Sequence, residues 1–309
     1  MLESKPGKTE WLRTLNDNTC PDRVYLAAME PQFPDSIDLD AYFERIGYRG
    51  DRDPTLQTLQ ALCQRHTETI AFENLNPLLK QPVLLDLQSL QQKLIHERRG
   101  GYCFEQNSLL RAVLLKLGFQ VTNLAARVLW NRPEGTISPL SHMVLRVDID
   151  DKPYVVDAGF GGATLTAPVL LAPDLEQKTP HEPFRLLKTD DAYTLQVLIN
   201  QVWKAVYCFD LHVRQLPDYE VSNWYVSTHP ASQFVTSLIV TRPDPDKRNV
   251  LLNNQLTTHY LNGRTERQLL HTVEALRGAL KDIFHIRLPA IAEMDEALQQ
   301  LIKPDTHGG

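Results

Sequence analysis

Residues 98–107 read RRGGYCFEQN, a glycine turn running straight into a cysteine and then into an apolar periodic stretch. Leu110, Val113, Leu114 and Leu117 recur at helical spacing and Gly118 can stop the run, so a helix is expected from about Cys103 to Leu117. The thiol then falls in the first turn. There the unpaired backbone N–H groups and the helix dipole favour an anion, the setting in which a cysteine thiolate forms. Gly100 and Gly101 let the backbone turn sharply and approach a ligand. The bland alternative is that Cys103 packs as a small hydrophobe, as Cys63 is expected to do.

The same pattern of caps and stripes extends toward the N-terminus. LDAYFERIG places Leu39, Tyr42, Phe43 and Ile46 on one face before Gly47. Asp53 and Pro54 are expected to cap and open a helix carrying Leu56, Leu59, Leu62 and Cys63, and Asp86 to cap one carrying Leu87, Leu90, Leu94 and Ile95. Residues 36–118 therefore form a small helical bundle. Before them, residues 1–35 mix Trp11, Leu12, Val24 and Leu26 with Pro21, Pro31 and Pro34 and are expected to form an irregular arm.

After Gly118 the signal changes to short strands. VTNLAARVLW, SHMVLRVDID, KPYVVDAG, YTLQVLI and AVYCFDL are rich in β-branched and aromatic residues and are punctuated by Pro, Gly and Asp. An antiparallel sheet or partial barrel is expected over 119–225. Over 226–309, FVTSLIVTR and NVLLNNQLTTHYLNG predict further strands around the turn PDPDKRN. Two helices follow, one with Leu269, Val273, Leu276, Leu280 and Phe284 inward and one with Ile291, Met294, Leu298 and Leu301. The fold class is α+β.

Composition narrows the function. The chain has 309 residues, 42% hydrophobic and 23% charged, with a net charge of −6, which leaves no electrostatic footprint for nucleic acid or an anionic membrane. A polyanion the size of CoA remains compatible, since local basic groups or backbone N–H donors suffice to hold it. Cys20, Cys63, Cys103 and Cys208 form no CxxC pair, so neither a zinc site nor a dithiol redox motif is signalled and no metal is expected. A polar N-terminus and the lack of a long apolar run favour the cytoplasm, where a free thiol persists.

A nucleophilic cysteine needs a base. His142 opens the strand HMVLRVDI and shares a face with Val144, Arg146 and Asp148, opposite Met143, Leu145, Val147 and Ile149. A lone strand histidine is usually a surface or hydrogen-bonded residue. Asp157 changes that reading, because it ends the apolar strand YVVD at the mouth of the turn AGFGG. If the two strands pair, the carboxylate can hold one imidazole nitrogen and aim the other at the thiol. Taken alone, Asp157 is an ordinary turn-former before glycine. The turn itself lacks GxGxxG spacing and a Walker lysine.

RRGGYCFEQN, the upstream HTETIAFENLNPLL, SHMVLRV, VVDAGFGG and the later NWYVSTHPASQF together resemble the arylamine N-acetyltransferase family in its bacterial N-hydroxyarylamine O-acetyltransferase form. The resemblance runs from about Asp38 to Gly263. It implies a papain-like transferase of three domains: helical bundle, β-barrel and α/β lid. It further implies a catalytic triad of Cys103, His142 and Asp157, and ping-pong transfer from acetyl-CoA to arylamines, arylhydrazines or N-hydroxyarylamines. Acetyl-CoA is then a substrate and no cofactor is permanently bound. Phe72 and Phe160, with Phe234 as a weaker match, fall on acceptor-pocket positions and Gly161 beside the acyl site; independently of the resemblance, Glu73 and Arg99 are expected to form a structural ion pair near Cys103. A small-molecule enzyme of this kind is expected to be a monomer or homodimer.

Three departures mark this sequence. Ala71 stands where proline commonly precedes Phe-Glu-Asn, Ser141 where threonine precedes the histidine, and the arm 1–35 has no counterpart. Without the resemblance, the same three residue types equally suit a peptidase or transglutaminase-like enzyme. A non-catalytic protein holding an aromatic ligand between bundle and barrel is a third reading, and reactivity of Cys103 toward acetyl-CoA separates them.

Overall fold

The computed structural model describes residues 36–133 and 135–302; the expected arm, residues 1–35, lies outside them. Helix α1 (Leu39–Ile46) begins where the Asp38 carboxylate accepts from the N–H of Ala41 at 2.9 Å and ends at Gly47, whose φ of 65° is left-handed. A side chain at Gly47 meets no neighbour within 4 Å, so Gly47→Ala would cost about 1 kcal/mol through backbone strain alone. Helix α2 (Leu56–Thr69) is capped by Thr55, not by the expected Asp53. The Thr55 hydroxyl is in register with the N–H of Thr58 at 3.2 Å, while Asp53 offers only its carbonyl to Thr55. Strand β1 (Phe72–Glu73), α3 (Leu75–Leu78) and α4 (Leu87–Leu90) follow, α4 running on as a wider π-turn over Gln91–His96. Helix α5 (Cys103–Lys116) completes this part, with the cysteine as its first helical residue.

The central sheet has seven antiparallel strands: β2 (Gln120–Val128), β3 (Leu140–Ile149), β4 (Lys152–Val156), β5 (Val169–Leu170), β6 (Phe184–Thr189), β7 (Ala192–Ile199) and β8 (Val202–Asp210). Their order is β5-β4-β3-β2-β8-β7-β6. The two edge strands approach through bridges Pro173↔Leu186 and Gln177↔Phe184, which nearly close a barrel. The short β5 and the strand FRLLKT were not foreseen. Helix α6 (Leu216–Thr228) then crosses the expected boundary at 225.

The second sheet is β1-β9-β10-β11-β12, with β9 (Ile239–Asp244), β10 (Lys247–Leu252), β11 (Gln255–Tyr260) and β12 (Thr265–Leu269). The expected strand FVTSLIVTR is shorter than predicted. Its first half is the helical turn α7 (Gln233–Thr236), where the Ser232 hydroxyl accepts from the N–H of Phe234 at 3.3 Å. Leu269, expected on a helical stripe, lies half-exposed in β12, and α8 (Val273–Gly278) starts after it, running on through a π-turn. Helix α9 (Met294–Leu301) closes the described chain.

Three apolar clusters follow from these elements. One joins α1, α2, α4 and α5 to Met143, Leu145 and Val147 of β3. A second lies inside the near-barrel, with Val144, Phe184 and Tyr207. The third packs α3, α8 and α9 on the five-stranded sheet. We propose that these clusters are the cores of the three expected domains. Alternation along β3 thus feeds two cores from one strand. His142 shares its face with Val144 as expected, but that face looks into the barrel and is buried.

His66 in α2 carries a stability consequence. Gln106 donates its amide to the carbonyls of Ile70, Ala71 and Gly101, so its Oε1 accepts from His66 Nε2 at 2.7 Å, and His66 Nδ1 accepts from the Tyr42 hydroxyl at 2.9 Å. This arrangement suits a neutral ring, and burial pushes its pKa down to about 4. Between pH 6.5 and 4 the unfolded chain takes up the proton and the folded chain does not, so stability falls with pH. The contribution of His66 is on the order of 3 kcal/mol by pH 4. Urea unfolding at stepped pH should show this decline, flattened in His66→Gln.

Candidate active site

Two loops bring the expected residues to the start of α5. Between Arg99 and Cys103 the chain runs beside β1: Gly101 donates to the carbonyl of Ala71 and accepts from Glu73, both at 3.2 Å. The contact is tight. A Cβ at Gly100 would stand 2.1 Å from the carbonyl oxygen of Ala71, and one at Gly101 would stand 2.7 Å from the Glu105 carboxylate. The glycines are therefore required by the protein's own backbone and carboxylate, a more specific reason than the ligand approach foreseen from sequence. Glu105 anchors the helix start by accepting from the N–H of Tyr102 at 3.0 Å.

On the barrel side, β3 and β4 pair antiparallel with Leu145 opposite Val156, so His142 and Asp157 lie at neighbouring strand ends. His142 Nε2 is 2.7 Å from Asp157 Oδ2, with both side chains buried. That hydrogen bond leaves Nδ1 for the thiol, and Cys103 Sγ lies 3.8 Å from the carbonyl oxygen of Ser141, the residue before the histidine. The loop after Asp157 packs directly on the backbone of Cys103. A Cβ at Gly159 would come within 2.6 Å of Cys103 Cα.

Electrostatics follow from burial and pairing. Desolvation disfavours a charged His142, but the adjacent Asp157 carboxylate and the Cys103 side chain outweigh it and push the imidazole pKa up to about 10. Burial raises the Asp157 carboxyl, and His142, Asn107 and the N–H of Gly159 together hold it below its usual range. A histidine raised in this way stabilises the fold fully below pH 6.5, and that contribution is lost as pH rises through about 10. At neutral pH a positive charge stands against the sulfur.

Local sequence pattern assigns Asn107 no role, and the structure gives it three. Its amide donates to Asp157 Oδ1 at 2.9 Å and to the carbonyl of Met143 at 2.8 Å, and its oxygen accepts from the N–H of Ala158 at 2.9 Å. One side chain thus fixes Asp157, the strand that carries His142 and the loop that follows Asp157. The available signal was EQN, three consecutive polar residues in the first turns of an apolar helix, all buried. Tyr207, also unforeseen, stacks tilted on His142 at 5.1 Å between ring centroids.

The remaining expected residues surround this centre. Phe160 meets His142 edge-on at 5.2 Å, and Phe72 faces Phe234 at 6.1 Å. Gly161 has φ of 91° and presents its Cα toward Phe72. Glu73 and Arg99 are paired at 2.8 Å, both buried, and Arg99 also donates to Asn76. Burial raises the Glu73 carboxyl, but Arg99 and Lys93 hold it below its ordinary range; Glu105 is shifted upward by burial despite its 2.6 Å contact with Lys93.

A buried Cys-His-Asp arrangement with the thiol at a helix start suits thiol acyl chemistry, in a transferase and in a peptidase alike. An N-acetyltransferase family model matches residues 55–293. The arylamine N-acetyltransferase of Mycobacterium tuberculosis H37Rv is 43% identical over 262 residues, 84% of this chain and 92% of that protein. The arylamine N-acetyltransferase / N-hydroxyarylamine O-acetyltransferase of Salmonella typhimurium is 38% identical over 231 residues, 75% and 82% respectively. Among solved structures, the Mycobacterium marinum arylamine N-acetyltransferase in complex with CoA superposes with a TM-score of 0.83 at 40% identity, covering 86% of this chain and all of that one. This chain belongs to the arylamine N-acetyltransferase family.

Replacing His142 by Gln removes the positive charge beside Cys103. Alkylation of Cys103 by iodoacetamide at pH 7 should slow by roughly tenfold or more with the far-UV spectrum unchanged. Asn107→Leu leaves the Asp157 carboxylate and two backbone groups short of partners, and urea unfolding should report a loss of about 2 kcal/mol.

Proposed function

We propose that the protein transfers an acetyl group from acetyl-CoA to aromatic amines and hydrazines on nitrogen, and to N-hydroxyarylamines on oxygen, through an acetyl-Cys103 intermediate. The observation that carries this is the His142 Nε2 to Asp157 contact of 2.7 Å at the N-terminus of the helix that Cys103 begins. Family membership supplies the substrate classes.

In the first half-reaction the Cys103 thiolate attacks the thioester carbonyl carbon. The oxyanion is met by N–H groups at the very start of α5, that of Cys103 among them, since those of Glu105 and Gln106 are already given to the carbonyl of Tyr102. As the intermediate collapses, the carbon–sulfur bond to CoA breaks and the His142 imidazolium protonates the leaving thiolate. Acetyl-Cys103, neutral His142 and free CoA thiol remain. In the second, an amine nitrogen or hydroxylamine oxygen attacks the acetyl carbon, His142 accepts its proton, and the Cys103 thiolate departs. The cycle closes with the ion pair restored. Asp157 keeps Nε2 occupied throughout, so Nδ1 alone exchanges the proton.

Phe72, Phe160 and Phe234 provide the acceptor's aromatic surroundings, and Gly161 leaves room beside them. Shape and apolar contact of this kind discriminate weakly among rings, which suits a broad acceptor range. The Glu73–Arg99 pair holds the RRGG turn against β1 and so positions the nucleophile.

Incubation with acetyl-CoA alone, followed by intact mass and peptide mapping, should give one acetyl adduct confined to Cys103. Cys103→Ser should give neither adduct nor turnover while remaining folded. An unmodified wild-type chain with reduced thiols would overturn the proposal.

A further inference from the structure

A cavity of about 380 Å³ lies on the flank of α5, and neither Cys103, His142 nor Asp157 lines it. Leu87 and Leu90 of α4, Met143 of β3 and Leu216 of α6 form its apolar wall, and Arg111 and Asn123 form the polar part. A pocket of this size and mixed lining suits a small molecule with an apolar body and one or two polar ends.

The polar groups define those ends. Arg111 Nε is buried without a hydrogen-bond partner, and among the described residues no ion-pair partner meets its guanidinium. Asn123 spends its amide nitrogen on the carbonyl of Arg214, while its Oδ1 is buried without a donor among the described residues. A buried donor and a buried acceptor left unmet each cost free energy, which a ligand supplying their complements recovers. The other polar groups of the lining are largely engaged. Asp86 accepts from the N–H of Ser89 as the α4 cap, and the Tyr219 hydroxyl donates to the carbonyl of Leu124.

We propose that this cavity is a binding site for a small aromatic carboxylic acid bearing a hydroxyl or amino donor. The carboxylate pairs with Arg111, the ring lies against the leucines and Met143, and the donor reaches the Asn123 end. Its position gives it a consequence. Met143 contributes its side chain to the cavity wall and its carbonyl to Asn107, the residue that also holds Asp157. An occupant is thus one residue removed from the support of the His142–Asp157 pair. The site does not depend on acyl transfer at Cys103 and stands or falls separately from it.

The test is titration of the full chain, labelled with [methyl-13C]methionine, with 4-hydroxybenzoate, which has no amine to acetylate. The Met143 methyl resonance should move with saturation while that of Met294, in the core of the five-stranded sheet, stays still. Isothermal titration should give an affinity that falls about tenfold or more in Arg111→Gln and in the cavity-filling Ala112→Phe. Far-UV circular dichroism and urea unfolding report that both variants are folded. Absence of a Met143 shift at millimolar acid, or equal affinity in wild type and Arg111→Gln, would overturn the proposal. Competition with the arylamine together with an unchanged Arg111→Gln affinity would place the acid in the aromatic pocket by Cys103 instead.

Discussion

The start of α5 must be buried, and a buried helix start carries backbone groups that water cannot satisfy. Glu105, Gln106 and Asn107 meet that constraint. Glu105 takes the N–H of Tyr102, Gln106 ties the carbonyls of Ile70, Ala71 and Gly101, and Asn107 ties Met143, Asp157 and Ala158. One helical turn therefore joins α2, β1, the RRGG turn, β3 and the Asp157 loop. The placement of Cys103 follows from this arrangement, because it precedes Glu105 by two residues in the same turn.

Charge is arranged in two separate layers around that turn. Below it, Glu73 and Glu105 face Arg99 and Lys93 in a network that is buried except at Lys93, whose side chain is 13% exposed. Above it, Asp157 and His142 form an ion pair whose remaining imidazole nitrogen points to the sulfur. The lower layer is complete in itself and serves to hold the turn against β1. The upper layer leaves one imidazole nitrogen, Nδ1, outside the pair on the side of Cys103. Breaking either layer by removing one partner leaves a buried charge uncompensated, which costs far more than the pair contributes when intact.

The two sheets meet through arginines rather than through apolar packing alone. Arg248 of β10 pairs with Glu182 and donates to the carbonyl of Thr164 in the segment after the GFGG turn. Arg242 of β9 donates to the carbonyls of Glu68 at the end of α2 and Ile283 after α8. These side chains span from one element to carbonyls of another, so the five-stranded sheet is fixed against both the helices and the barrel. Phe72 and Gly161 are brought together across that junction by β1 pairing with β9, Phe72 opposite Thr241.

Much of the helical fold was legible in residue spacing, because apolar stripes and their caps are local. Leu110, Val113 and Leu114 predicted α5 and are fully buried, and Gly47 stops α1 as expected. Short segments were less legible. FRLLKT and TERQL carry charges on strands, and Ser232 turns the start of a β-branched run into a helical cap. For the site, the sequence showed a cysteine at a helix start, a histidine opening a strand and an aspartate ending the next, and the family resemblance supplied their joint role. By itself, then, the sequence determined which residue types carry the chemistry and on which elements they stand, since propensity and periodicity act over a few residues. Only the tertiary structure decided that His142 faces a buried barrel interior, that Asn107 holds Asp157, and that Gly159 is required by the backbone of Cys103. Those facts arise from contacts across 36 to 56 positions of chain, where the outcome depends on packing geometry that no local pattern encodes.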